Sequence, residues 1–335
     1  MNLKELTASL TNAVSVGHLR SASDIAKQEL SRYAEVSDFG AIGIIGKISN
    51  SADKTIMLEA HIDEVGFIVT HVFESGFLKV AAVGGNDGRL LPATPITVHG
   101  KSDIPAVFIS TPPHLAKKTD EAKSADEIYL DTGLGNAVCG IVSAGDFATY
   151  RNSFKSLSGG TVCSKSLDDR AGVACLIEVA KRIHDKPLDC NVIFCLSEQE
   201  ELGTRGARTA AFSLDCDEAI AIDVSFGDAP DIPATKCGKL SKGAMIGISP
   251  VLDRRISTKL LSLAKGNDIP YQTEVMGGAT STDADVISIS RTGIPSGLVS
   301  IPLRNMHSQC EVADMSDLES VVNLLEAYIL SGGAL

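Results

Sequence analysis

The sequence predicts an α/β protein, a mostly parallel sheet flanked by helices and interrupted by a small β-barrel-like unit. Three observations lead there. Short apolar runs alternate with amphipathic helical stretches at both ends of the chain, the order that builds parallel sheets. Between about residues 68 and 160 the helical patterns give way to β-branched runs separated by Gly, Pro and Asp turns. Hydrophobic residues make up 44% of the 335, yet aromatics are only 4% and tryptophan is absent. A core built on Val, Ile, Leu and Ala suits strands that are covered on both faces.

Taken in order, residues 1–35 read as helical, ending near Tyr33-Ala34-Glu35. Strand-like runs follow at Gly40–Gly46 and Thr55–Ala60. In the central stretch, Ile96-Thr97-Val98 and Ala106-Val107-Phe108-Ile109 are short β-branched segments. After about 165 the alternation resumes. Ala171, Val173, Ala174, Leu176, Ile177, Val179, Ala180 and Ile183 give a helix one broad apolar face. Then come the strand Asn191–Ser197, the strand Glu218–Ile222, and helices near 256–266 and 316–330. The simplest division assigns 1–67 and 161–335 to one α/β domain and 68–160 to a β-rich insertion. The length suits about two units of this size.

The net charge of −12 argues against nucleic acid, whose phosphates must be neutralised by Lys and Arg. The N-terminus has no basic region leading into a long apolar stretch, and no run is long enough to span a membrane. Eight cysteines include no C-x-x-C pair, and Cys175 and Cys195 sit inside apolar runs. They read as small core residues of a reducing compartment, so a cytoplasmic location is expected.

The chemistry concentrates at element ends. Glu198, Gln199, Glu200 and Glu201 crowd the carboxyl end of the apolar run Asn191–Ser197. Adjacent carboxylates repel and resist burial unless a cation compensates. A divalent metal would do so, with one glutamate binding it and its neighbour free to move protons. A solvated acidic turn is the plainer reading of these residues alone. His61 and Asp63 follow the strand 55–60 at i, i+2, an imidazole with a carboxylate to fix its second ring nitrogen; a hydrogen-bonded core histidine would look the same. Asp168 and Asp169 precede the helix from 171. A helix cap accounts for one aspartate but not both. Asp223 ends the run Ala219–Ile222, and His307 follows an apolar run and a loop. Together His61, Asp168, Glu200, Glu201, Asp223 and His307 form a set located where open α/β sheets bind ligands, at the carboxyl ends of strands. Mixed N/O ligands suit zinc, cobalt or manganese, and a bridging carboxylate suits a pair of them.

Two motifs mislead. Asp131-Thr132-Gly133 matches the D-T-G of aspartic proteases, but it occurs once, and a shared-proton dyad needs two carboxylates. It reads as a turn. Glu200 and Glu201 are chain neighbours and so do not flank one glycosidic bond.

Several segments resemble the M42 family of metallo-aminopeptidases, which includes glutamyl aminopeptidases and the tetrahedral TET peptidases. They are Glu59–Phe67, Ser166–Gly172, Gln199–Ala207, Ala221–Val224, Thr282–Ala284 and Ile301–Ser308, in family order across nearly the whole chain. The resemblance implies a zinc-exopeptidase-like fold with two divalent metal ions per subunit. His61 and Asp223 would hold one metal, Glu201 and His307 the other, and Asp168 would bridge them. Glu200 would be the general base, Asp63 would orient His61, and the Asp168–Asp169 peptide would be cis. The inserted unit would contribute to assembly, commonly into homo-dodecamers, and the substrates would be short peptides. Two departures stand out: Val14–Ser21 in place of a glycine-serine-glycine-like pattern, and Gln309 where proline is usual after Ser308. Both bear on substrate preference. A metal-dependent deacylase acting on small N-acyl compounds and a non-catalytic assembly subunit are the rival readings; the second would show a missing ligand, and none is missing. For specificity, Arg254 or Arg255 on the pocket wall would favour an acidic first residue, an aliphatic lining would favour leucine-like ends, and solvated arginines would decide nothing.

Overall fold

A computed structural model of the chain describes residues 1–40, 43–112, 114–115, 122–151, 153–230 and 232–335. The elements are α1 (Leu3–Asn12), β1 (Ser15–Val16), β2 (Leu19–Arg20), α2 (Ser21–Leu30), β3 (Glu35–Asp38), β4 (Gly43–Ile48) and β5 (Thr55–His61). Next come β6 (Gly66–Val72), β7 (Phe77–Val83), β8 (Pro95–His99), β9 (Asp103–Phe108), β10 (Tyr129–Asp131) and β11 (Phe147–Tyr150). The remainder comprises β12 (Lys155–Ser156), β13 (Thr161–Ser164), α3 (Leu167–Ile183), β14 (Asn191–Ser197), α4 (Arg205–Ser213), β15 (Glu218–Phe226), β16 (Ala244–Ile248), α5 (Arg254–Gly266), β17 (Tyr271–Val275), α6 (Ala284–Ser288), β18 (Ser296–Leu303), β19 (Glu311–Asp314) and α7 (Met315–Leu330).

Eight strands form one sheet in the order β17-β16-β18-β15-β5-β14-β4-β3. Its centre, β18-β15-β5-β14, is parallel, so the carboxyl ends of these four strands share one edge. One face packs its apolar residues against α1, α2, α3, α5 and α7; the other packs against α4 and α6. Six strands, running from Gly66 to Tyr150, close a separate barrel in the order β10-β7-β6-β11-β8-β9 around Phe67, Phe108 and Tyr150. The Asp131-Thr132-Gly133 segment is a turn in this barrel: Asp131 Oδ1 accepts the Gly133 N–H at 2.8 Å.

Three expectations change. Residues 1–35 are not continuously helical, because the hairpin β1–β2 separates α1 from α2. Gly17 makes that turn at φ +60°, and an added Cβ would meet the Phe147 ring at 2.1 Å, so both conformation and space call for glycine. The helix after Asp169 is buried on almost every side rather than along one stripe, since α1, α2 and α7 cover what the sheet does not. Asp223 lies inside β15, not at its end. Of the run Gly40–Gly46, Ala41 and Ile42 lie outside the described residues.

Candidate metal centre

The parallel strands open a crevice where their pairing ends. β15 stays paired to β18 as far as Phe226 but leaves β5 after the Ala221–Glu59 pair. Asp223 therefore sits two residues past the last β15–β5 contact, level with His61 at the end of β5. That is why a mid-strand aspartate faces the same cavity as residues from strand ends. The cavity has a volume of about 610 Å³ and is lined by His61, Asp168, Glu200, Glu201, Asp223 and His307. The structure thus gathers the six residues around one cleft. Asp63 stands beneath them, 7% exposed.

Asp168 is at the centre. Its Oδ1 lies 3.1 Å from His61 Nε2, and its Oδ2 lies 3.2 Å from His307 Nε2. Glu201 Oε1 is 3.3 Å from the same His307 nitrogen. Ligand atoms of His61, Asp168 and Glu201 all fall within 4.8 Å of one another. Asp168 is joined to Asp169 by a cis peptide. Asp169 Oδ1 accepts the Gly172 N–H at 3.1 Å, capping α3. The two aspartates therefore divide as their sequence position suggests, one facing the cleft and one serving the helix. A Cβ on Gly172 would fall 2.3 Å from Asp169 Oδ2, so the cap depends on that glycine.

The electrostatics are those of a crowded acidic site. Burial, with Asp168 among its neighbours, pushes Glu201 above the usual carboxylate range. Burial pushes Asp223 well up too, and Asp168 and Glu200 add to it. Glu200 is raised to about 7, chiefly by burial and with Asp283, Glu201 and Asp168 adding to it. Burial favours neutral imidazole, yet hydrogen bonds to Asp168 and Glu201 outweigh it and push His307 up to about 11. His61 is raised likewise by Asp168 and Asp63 against its burial. Apart from these two imidazoles, no ion pair to Asp168, Glu201 or Asp223 occurs among the described residues. Buried carboxylates interleaved with imidazoles, and lacking Lys or Arg partners, fit divalent cations.

Three sets of supporting contacts escaped the sequence. Asp63 does more than approach His61, whose Nδ1 is 3.4 Å from its Oδ1. Its two oxygens also accept the N–H groups of Glu200 and Glu201, at 3.1 and 3.3 Å, and so pin the turn carrying both glutamates. Glu311, 1% exposed, accepts the N–H of His307 at 2.9 Å and of Asp168 at 3.2 Å. His307 is thereby held at φ +59°, in the left-handed region. Glu59 shares the Ser197 hydroxyl with Asp283, at 2.7 and 3.0 Å. Burial raises both carboxyls, and the neighbouring Asp283 raises Glu59 further. The available signal was a charged residue inside the buried run Ile56–Ala60. Arg254 and Arg255 are not brought to the cleft; Arg255 pairs with Asp253 at 2.7 Å at the start of α5.

The barrel reaches this site as well. A Cβ on Gly85 would fall 2.9 Å from His307 Nδ1, and one on Gly84 would fall 3.2 Å from Glu201.

Known proteins are similar to this chain over most of its length. A family described as M42 glutamyl aminopeptidase matches residues 42–324. A lysyl aminopeptidase of Pyrococcus furiosus is 32% identical over 85% of this chain and 84% of its own. The TET aminopeptidase of a marine-sediment Thaumarchaeota archaeon superposes with a TM-score of 0.93 at 27% identity, covering 99% of this chain and 96% of that one. The TET1 peptidase of Pyrococcus horikoshii, which can assemble into a tetrahedron or a large octahedral shell, gives 0.86 at 29% identity over 98% and 99%. With the family matched across most of its length and the ligand-type residues gathered at one cleft, the chain belongs to the M42 family of aminopeptidases.

Proposed function

We propose that this protein is a binuclear metal-dependent aminopeptidase that removes N-terminal residues from short peptides. The observation that carries the reading is Asp168, whose two oxygens approach two different histidines. His61 and Asp223 would hold one divalent ion, Glu201 and His307 the other, and Asp168 would touch both; zinc, cobalt and manganese suit such N/O donors. Ions held there would supply Lewis acidity toward the scissile carbonyl and the attacking water. Glu200 then takes the proton of the attacking water and returns it to the leaving amine. Burial, which lifts Glu200 to about 7, suits a group that must both accept and donate near neutral pH. Asp63 keeps Glu200 and Glu201 in register through their N–H groups, and Glu311 does the same for Asp168 and His307.

Two experiments test this division of labour. Elemental analysis of protein purified without chelator should find two ions per chain, and one or none after His307→Ala. Replacing Glu200 by Gln should lower kcat/KM on unblocked aminoacyl amides by about 10²–10⁴-fold with metal content unchanged. Retained activity, or lost metal, in Glu200→Gln would reverse the roles of the two glutamates. N-acetylated amides should remain uncut; their hydrolysis in preference to unblocked ones would select the deacylase chemistry instead.

We further infer that the chain assembles into a homo-oligomeric shell, a dodecamer built with the help of the barrel, by likeness to the shell-forming TET1 peptidase of Pyrococcus horikoshii and to a TET1 structure with a dodecamer in its asymmetric unit. A cytoplasmic location is inferred from the eight cysteines, which form no disulfide among the described residues. No helix among the described residues is long and apolar enough to cross a membrane.

A further inference from the structure

We propose that Glu274 selects the first side chain of the peptide, and that the pocket takes a basic one, lysine or arginine. This rests on the aminopeptidase reading above and deepens it. Glu274 lies on β17 and lines the same cavity as Glu200 and Asp223. Two hydroxyls from neighbouring strands fix its carboxylate. The Ser300 hydroxyl donates to Oε2 at 2.8 Å, and the Ser225 hydroxyl donates to Oε1. These serines belong to the same frame as the metal-ligand candidate Asp223: Ser300 is its register partner on β18, and Ser225 follows it by two residues on β15. The carboxylate is therefore held at a set place in the crevice.

Hydroxyl donors orient a carboxylate without neutralising it. Among the described residues no lysine, arginine or histidine forms an ion pair with Glu274, whereas Glu64, Glu198, Glu218 and Asp253 each have one. Lys236 lines the cavity but is exposed and makes no ion pair among the described residues. Met245, Met276 and Met306 line the wall among hydroxyl residues such as Thr273, Thr280 and Thr282. Thioether side chains accommodate an aliphatic stem, and lysine and arginine bury such stems while seeking an acceptor for the charged end.

The strand order assigns Glu274 to the side chain rather than to the peptide's α-amine. The α-amine is two bonds from the scissile carbonyl and must stay beside the metal ligands. Glu274 stands on β17, three strands across the sheet from Asp223 on β15, and reaches back to Ser300 and Ser225. A four-atom stem ending in a cation extends away from the metal ligands toward that side of the cavity. Glu274 also disfavours an acidic first residue, whose carboxylate would meet a fixed like charge.

The test compares lysyl, arginyl, leucyl and glutamyl p-nitroanilides on metal-loaded wild type and on Glu274→Gln, which keeps the shape and drops the charge. The wild type should favour lysyl and arginyl over leucyl, with glutamyl last, and Glu274→Gln should cut the lysyl-to-leucyl ratio of kcat/KM by roughly 10- to 100-fold. An unchanged ratio, or an equal loss on all four substrates, would overturn the assignment; the equal loss would mark Glu274 as an amine anchor or a structural residue. Calorimetric titration with free lysine and with norleucine, its uncharged analogue, reads the pocket without turnover. Lysine should bind wild type more tightly than norleucine, and Glu274→Gln should abolish the difference. If that binding difference holds while no unblocked amide is cut, the aminopeptidase reading fails and the pocket assignment stands. If lysine and norleucine bind wild type alike, the pocket assignment fails by itself.

Discussion

Glu311 holds two backbone N–H groups in place, those of Asp168 and His307, and glutamine can accept only with its one oxygen. Glu311→Gln should therefore weaken metal binding by about 10- to 100-fold, the usual cost of losing an outer-shell partner, as read by competition with a chelator. Glu200 gives a prediction in pH. As a base it works only when ionised, so kcat/KM must fall as pH drops. Burial lifts its pKa from 4.5 to about 7, and bound cations pull it back down. The acid limb of the profile should then have its midpoint between these two values. Glu64 gives one in stability. Burial acts to raise it, but Arg170 and Lys165 outweigh burial and bring it from 4.5 down to about 2. A depressed carboxylate stabilises the fold fully above its unfolded pKa and loses that contribution as pH falls through its folded one. Glu64→Gln should cost about 3–5 kcal/mol near neutral pH. The gap from wild type in urea unfolding should close between pH 4.5 and 2, the interval set by that shift. At this scale the residues on the cleft were legible, because ligand chemistry restricts the choice to His, Asp and Glu at element ends. Their supports were not: Glu311 and Glu59 act through hydrogen bonds that form only once distant segments meet, and Glu274 sits in a strand with nothing nearby in sequence to mark it.

Among the elements, α3 carries the most consequence, since Asp168 precedes its first turn and Asp169 caps it over Gly172. Gly172→Ala places a methyl group where the capping carboxylate lies. The expected cost is at least the roughly 1 kcal/mol of a lost cap, seen in urea unfolding, together with a fall in kcat from displacement of the adjoining Asp168. Pattern alone gave the strand–helix alternation after residue 165 because periodicity there runs uninterrupted. It missed the hairpin Ser15–Arg20, whose main signal is the single glycine at 17 within a stretch of helix-compatible residues. It also put Asp223 at a strand end. Strand length is set by pairing with a neighbour, and β15 runs on beside β18 after parting from β5, something no property of β15's own sequence reveals.

For the molecule as a whole, the gathered carboxylates make folding and metal loading interdependent. Ligand bound only to the native state stabilises it by about 2.7 kcal/mol at a hundredfold excess over Kd. Treatment with chelator should thus lower Tm, and restoring zinc or cobalt should recover it; an unchanged Tm would mean that the cluster tolerates its own repulsion. Light scattering should give a mass near twelve chains with metal present, and removal of the barrel should reduce it. The barrel was readable as a change of texture near residue 68, whereas its contact with the cleft was not, because that contact is made by two residues without side chains. Gly84 and Gly85 leave just enough room for Glu201 and His307. This contact limits how the protein can be rebuilt. A barrel taken from a relative, even one that folds and assembles perfectly, would have to bring its own pair of bare backbone positions to the same spot. Otherwise the chimera would gain a quaternary structure and lose a catalyst, so the two modules can be exchanged in sequence but not independently in shape.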